Sequence, residues 1–182
     1  MPSTRSYVAL LRGINVGGKN LIRMPELAAA FADAGYGDVR THQQSGNVLF
    51  TSKPVTSPKL EAAIEGMLEK RFGIPVLVLI RSRDELAKTI GDAPADHGSK
   101  ELRSEVIFLK RPLTAAKVMG ELPELREGVD AIAPGPGALY FSRVAARATK
   151  TRIQLLLAMP IFKQMTMRTW STTTRLLELL DG

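Results

Sequence analysis

The sequence predicts an α+β protein of two ferredoxin-like (βαββαβ) lobes with antiparallel sheets, and three observations predict it. Strand and helix patterns follow the order βαββαβ through residue 82, a polar bridge comes next, and the same order can be read again from Ser104. The expected layout is therefore a first lobe over 1–82, a connecting helix and loop over 83–103, and a second lobe with a C-terminal helix over 104–182.

Each element has a local reason. "SYVALLR" is a short, mostly apolar run and reads as the first strand. "PELAAAFADAG" reads as a helix, with Pro25 suited to the first turn and Gly35 to the stop. "DVRTHQ" and "NVLFTS" flank Ser45-Gly46 and read as a hairpin. In "KLEAAIEGMLEKRFG" the residues Leu60, Ala63, Ile64, Met67 and Leu68 form the apolar stripe of an amphipathic helix, and "IPVLVLIR" is a strand. The bridge holds a short helix and the loop "GDAPADHG". Beyond it come a strand "EVIFLK", a helix "TAAKVMGEL", a hairpin of "GVDAIA" and "ALYFSR" around "PGPG", a helix "TKTRIQLLLAM", a strand "QMTMRT" and a closing helix "STTTRLLELL". "VLVLI" and "VIFL" are continuously apolar, so both faces of each sheet should be covered.

Composition limits the class. With 182 residues, 45% of them hydrophobic, the chain can bury a core without staples, and the absence of cysteine excludes disulfides, thiolate metal sites and a cysteine nucleophile. The first apolar run is too short for a signal peptide or a membrane span, so a cytoplasmic location without a membrane partner is expected. A net charge of +7 makes this a basic protein, and the excess sits in two segments. No acid precedes Glu26, where Arg5, Arg12, Lys19 and Arg23 already stand; between Asp130 and Glu178 there are cations and no acid. Such a field favours an anionic partner, a phosphorylated small molecule or a nucleic acid.

The loop "RGINVGGKN" is the candidate site. In a sheet of order 4-1-3-2 the first and second strands run the same way, which places this loop beside the hairpin "QQSGN". Arg12, Lys19, the backbone at Gly13, Gly17 and Gly18, the amides of Asn15 and Asn20, and Ser45 and Asn47 could converge there on an oxyanion. The alternative is a structural loop whose glycines serve special backbone angles. Gly13 to Lys19 spells G-x-x-x-x-G-K, but Asn20 stands where a phosphate-binding loop needs Ser or Thr, and the helix does not open directly after the lysine.

"LLRGINVGGKN", "MPELAAAF" and "VRTHQQSGNVLF", with "TMRTWSTTTRLLELL" at the end, resemble the bacterial proteins grouped as domain of unknown function 1697. The resemblance spans essentially the whole chain and implies a two-lobed α+β fold, with no established activity. It adds Gln44 and Gly46 to the N-terminal motif, and Thr166 and Arg168 to a terminal one. Thr169 replaces the asparagine usual in the family, and His42 stands where an aromatic residue is expected.

Other constellations fail. His42 and His97 are the only histidines and neither has a partner at metal-ligand spacing, so no metal site is expected. Asp92 and Asp96 share a loop with His97, where short acids usually cap and turn the chain. There is no G-x-S-x-G elbow, and the first lobe's inner strands offer only Tyr7 and Phe50 where an RNA-recognition sheet needs two or three stacking aromatics. Trp170, beside Arg168, is read as an anchor into the core. The functional expectation is binding of a nucleotide or nucleic acid at the basic glycine loop. The alternatives are an enzyme acting on a small phosphorylated metabolite and a structural or interaction protein. No particular cofactor, ligand identity or oligomeric state follows.

Overall fold

Two four-stranded antiparallel sheets organise the chain. A computed structural model describes residues 3–182. In the first sheet, β1 (Arg5–Arg12), β2 (Gly37–His42), β3 (Asn47–Ser52) and β4 (Leu77–Ser82) lie in the order β2-β3-β1-β4; α1 (Met24–Asp33) and α2 (Ser57–Phe72) supply the crossovers. In the second, β5 (Leu102–Leu109), β6 (Asp130–Gly135), β7 (Ala138–Val144) and β8 (Met165–Thr169) lie in the order β6-β7-β5-β8. Both are the ferredoxin-like arrangement, with the first strand of each sheet antiparallel to its two neighbours.

The chain divides into two compact units. One runs to Leu86 and takes in Leu176–Gly182; the other is Ala87–Arg175. The closing helix, α6 (Trp170–Asp181), expected whole in the second lobe, is shared between the two units. The division falls inside α3 (Arg83–Gly91), within the segment expected to connect the lobes.

In the first unit one sheet face packs Tyr7, Ala9, Leu11, Val48, Phe50, Val78 and Ile80 with Leu27 and Phe31 of α1 and Leu60, Ile64 and Leu68 of α2. Burying each such large side chain contributes roughly 1.5–3 kcal/mol. The opposite face is buried too, at Val8, Leu10, Leu49 and Leu79, as their uninterrupted apolar runs require.

The α2 stripe differs from expectation at one residue that matters. Ala63 is exposed and Glu61 is buried. The reason lies at the edge of the sheet: β4 is a border strand, and the outward amides of Val78, Ile80 and Ser82 donate to Glu65, Glu61 and Glu85 at 3.2, 3.1 and 2.8 Å. Residues four apart on a helix rise about 6 Å, close to the roughly 6.7 Å between alternate strand residues. Glu61 and Glu65 of α2 therefore match successive outward amides, and a row of donors that would otherwise invite another strand is closed. Arg81 completes the edge, donating to the Ile80 carbonyl at 2.9 Å with Glu61 Oε1 3.8 Å from its guanidinium.

In the second unit the core joins Ile107, Leu109, Leu139, Phe141 and Met165 with Val118 of α4 (Ala115–Met119) and Ile153 and Leu156 of α5 (Ile153–Leu157). The single helix expected over 149–159 is broken into a 3-10 segment, Ala145–Lys150, and α5. Asp130 is the cause. Its carboxylate accepts from Thr151 Oγ1 at 2.5 Å, from the Arg152 amide at 2.9 Å and from the Arg126 amide at 2.9 Å, which fixes Thr151 and Arg152 outside a helix. Burial alone would raise the Asp130 carboxyl, but these hydrogen bonds outweigh it and hold it below its ordinary value.

Candidate functional site

The loop after β1 and the β2–β3 hairpin meet. The Leu11 amide donates to the Gly46 carbonyl at 2.9 Å, and Asn15 Nδ2 donates to the Gln44 carbonyl at 2.8 Å. Gly46 is required for this approach: it has φ +95°, and a Cβ there would stand 2.9 Å from Leu11 Cβ and 2.8 Å from Ile14 Cδ1.

Within the loop, residues 15–20 form a miniature hairpin. Val16 and Lys19 are bridged, with the Lys19 amide donating to the Val16 carbonyl at 3.0 Å and the Asn15 amide to the Asn20 carbonyl at 3.1 Å. Gly17 and Gly18 between them have φ +58° and +74°, and positive φ at both central positions is what a type I′ turn needs. Nothing lies within 4 Å of where a Cβ would sit on either glycine, so the turn stands in open solvent.

The asparagines have a different task from the expected one. Asn15 Oδ1 accepts from the Ile22 amide at 2.8 Å and its Nδ2 donates to the Ile22 carbonyl at 3.0 Å, fastening the foot of the hairpin. Asn20 Nδ2 donates to the Gly13 carbonyl at 3.0 Å. The buried Asn47 donates to the His42 carbonyl at 2.7 Å. These amides hold the backbone in its turns and do not converge on a common point. Lys19, Gln44 and Ser45 are exposed, and Arg12 is half-buried at the end of β1.

Arg168 belongs to the second unit. It is buried, and it donates to Thr166 Oγ1 at 2.7 Å and the Met167 carbonyl at 2.9 Å; burial brings its guanidinium down to about 10. It is thus tied into the border strand β8, in the position that Arg81 holds in β4.

The second unit has a cleft that pattern reading missed. Arg103 of β5 lies directly opposite Arg143 of β7, and Glu105 follows two residues on along the same face. Together with Trp170 and Ser171 these residues line a cleft of about 440 Å³. Arg143 Nη2 is 3.8 Å from Glu105 Oε1, while its Nε is buried and holds no hydrogen bond. Burial raises the Glu105 carboxyl, an effect that Arg143 only partly offsets. His97 Nε2 donates to the Glu105 carbonyl at 3.1 Å and the ring stands edge-on to Trp170, 4.9 Å away; burial lowers this imidazole. Trp170 is partly exposed rather than sunk in the core. The legible signal was the period of two in Arg103-x-Glu105 at the start of an otherwise apolar strand.

Among the described residues no helix is long and apolar enough to cross a membrane, and no group of three or more histidine, aspartate or glutamate side chains is placed to hold a metal ion.

Fold and loop together define a two-unit α+β protein with a basic glycine hairpin at one end of its first sheet. The chain belongs to the family described as Protein of unknown function (DUF1697), which matches residues 4–140 and so contains the whole N-terminal loop motif. The solved structure of the conserved bacterial protein SP0830 from Streptococcus pneumoniae has the same fold. It is 23% identical, with a TM-score of 0.86 over 98% of this chain and 99% of that one. No protein with a curated description matches the chain.

Proposed function

We propose that the protein binds a nucleic acid through the basic hairpin of residues 15–20, with Lys19 on the phosphate backbone and the β2–β3 turn beside it. The observation that carries this reading is the Gly17–Gly18 turn, which holds Lys19 out in open solvent on a segment that has no acid before Glu26. A side chain so placed gains nothing for the fold, yet the asparagine bonds at the hairpin's foot fix its position. Residues 16–20 are all exposed, with open space around both glycines. A small phosphorylated metabolite needs an enclosing pocket, whereas a polymer's phosphates are met by projecting cations.

The nearest concavity, lined by Asn15, Leu21 to Pro25 and Gln44, contains Arg23 as its sole cation. It lies at the foot of the hairpin and not around Lys19. Exposed Val16 and Leu21 flank the turn and give it an apolar surface beside the cation.

The test is anisotropy of a labelled single-stranded oligonucleotide titrated with the full chain at roughly 50 and 200 mM salt. Binding that weakens steeply between the two, without turnover of the strand, is expected. No binding at the lower salt, or binding indifferent to salt, would refute the reading.

A further inference from the structure

Three strands of each sheet, β3-β1-β4 and β7-β5-β8, carry the same ladder, so their positions correspond one to one. Val8 pairs with Leu49 and Arg81 in the first sheet, as Val106 pairs with Tyr140 and Arg168 in the second. In both, the residue near the end of the first strand donates to the glycine of the hairpin: Leu11 to Gly46 at 2.9 Å, and Leu109 to Gly137 at 3.0 Å. By this register Tyr7 corresponds to Glu105, Phe50 to Phe141, Arg5 to Arg103 and Ser52 to Arg143.

The second unit differs from the first at one corner of this ladder. In the first unit the Tyr7 and Phe50 rings stack at 5.6 Å at this corner, with the Tyr7 hydroxyl tied to the Val55 carbonyl at 2.9 Å. At the matching corner of the second unit the aromatic ring is replaced by a carboxylate and a second arginine joins the first. Each unit has a cleft here, of about 410 Å³ beside Arg5, Ser82 and Arg83 in the first and of about 440 Å³ in the second, where Trp170 stands at the place of Arg83. The volume of the second is within the roughly 300–1,000 Å³ of small-molecule sites. Two arginines directly across an antiparallel pair repel each other, and Glu105 reaches only one of them in the structure, at 3.8 Å. Arg143 Nε, buried without a hydrogen bond, is a donor with no partner inside the protein. A half-buried carboxyl held above its ordinary range adds to the fold's burden there, a pattern concentrated at functional sites.

We infer that this cleft binds a small anionic ligand with a planar aromatic ring, a nucleoside monophosphate, its phosphate between Arg103 and Arg143 and its ring against Trp170. The two guanidinium groups supply charge-assisted donors for an oxyanion. The Trp170 indole, braced by His97 and lying on Gly98, offers a flat apolar wall. Glu105 supplies an acceptor for an amino or hydroxyl group of the ligand. This site is separate from the hairpin of residues 15–20 and does not depend on it.

Trp170 is the only tryptophan of the chain, so intrinsic indole fluorescence reports on this cleft alone. The full chain is titrated with adenosine monophosphate, with excitation at the red edge of the indole band. A saturable change is expected, weakened about tenfold or more in Arg103→Gln, which lacks one charge-assisted donor to the phosphate. Arg103 is exposed, so this variant leaves the fold intact. Lys19→Ala should bind as the wild type does, and inorganic phosphate should bind at least about tenfold more weakly for want of the ring. No saturable change, undiminished binding by Arg103→Gln, or phosphate binding as tightly as the nucleotide would overturn the inference.

Discussion

At Glu105 a carboxylate occupies a corner where aromatic rings stack in the first unit, and its titration should be visible in the stability of the protein. Burial raises its carboxyl above the ordinary 4.5, Arg143 partly opposing, so the folded state takes up this proton more readily than the unfolded chain. The stabilisation from that proton is complete at acid pH and is lost as pH rises through the folded value. Melting temperatures of wild type and Glu105→Gln, compared from about pH 4 to about pH 7, should therefore diverge, the variant gaining on the wild type as pH rises. A difference that stays constant would show that the carboxyl is not raised. Single residues were legible in the sequence only where they act locally. Gly17 and Gly18 read as a turn, and the structure has one. The asparagines read as ligand amides, because nothing in the one-dimensional pattern shows that the carbonyls of Gly13, Ile22, Gln44 and His42 lie within their reach.

Among the elements, α2 shows most clearly where a periodic reading ends. An acid next to an apolar stripe reads as the wet side of the helix, yet Glu61 is buried because β4 has a free edge beside it. Replacing Glu61 by alanine leaves the Ile80 amide without its acceptor and removes the carboxylate facing Arg81. The expected loss is about 3–5 kcal/mol, the range for breaking one side of a buried pair, measured by urea unfolding. Loss below about 1 kcal/mol, the level of an exposed ion pair, would contradict it. The broken helix after β7 has the same kind of explanation. Its sequence has helical character throughout, and what interrupts it is Asp130, a residue on another strand. Strand order and hairpins, by contrast, depend on local turns and apolar runs, and those were readable along the whole chain.

For the whole molecule, the net charge of +7 overstates the free field in one segment and describes it well in another. Of the cations between Asp130 and Glu178, Arg143 faces Glu105, Arg147 donates to the Gly128 carbonyl at 3.2 Å and Arg168 is buried. At the start of the chain, Arg5, Lys19 and Arg23 are all exposed. The repeated ladder was visible in the order of elements, whereas the identities at matching positions, Val8 and Val106, Arg81 and Arg168, Phe50 and Phe141, are scattered singly along the chain and align only through the register of the two sheets. The proposed role of Lys19 on its exposed turn is tested most directly by the oligonucleotide affinity of Lys19→Ala and wild type across a salt series, with the melting temperature of each. The variant should bind more weakly and melt at an unchanged temperature. Its slope of log K against log salt should be shallower by about 0.7–0.9, because one phosphate fewer is neutralised. Equal affinity and equal slope in the two proteins would contradict that role.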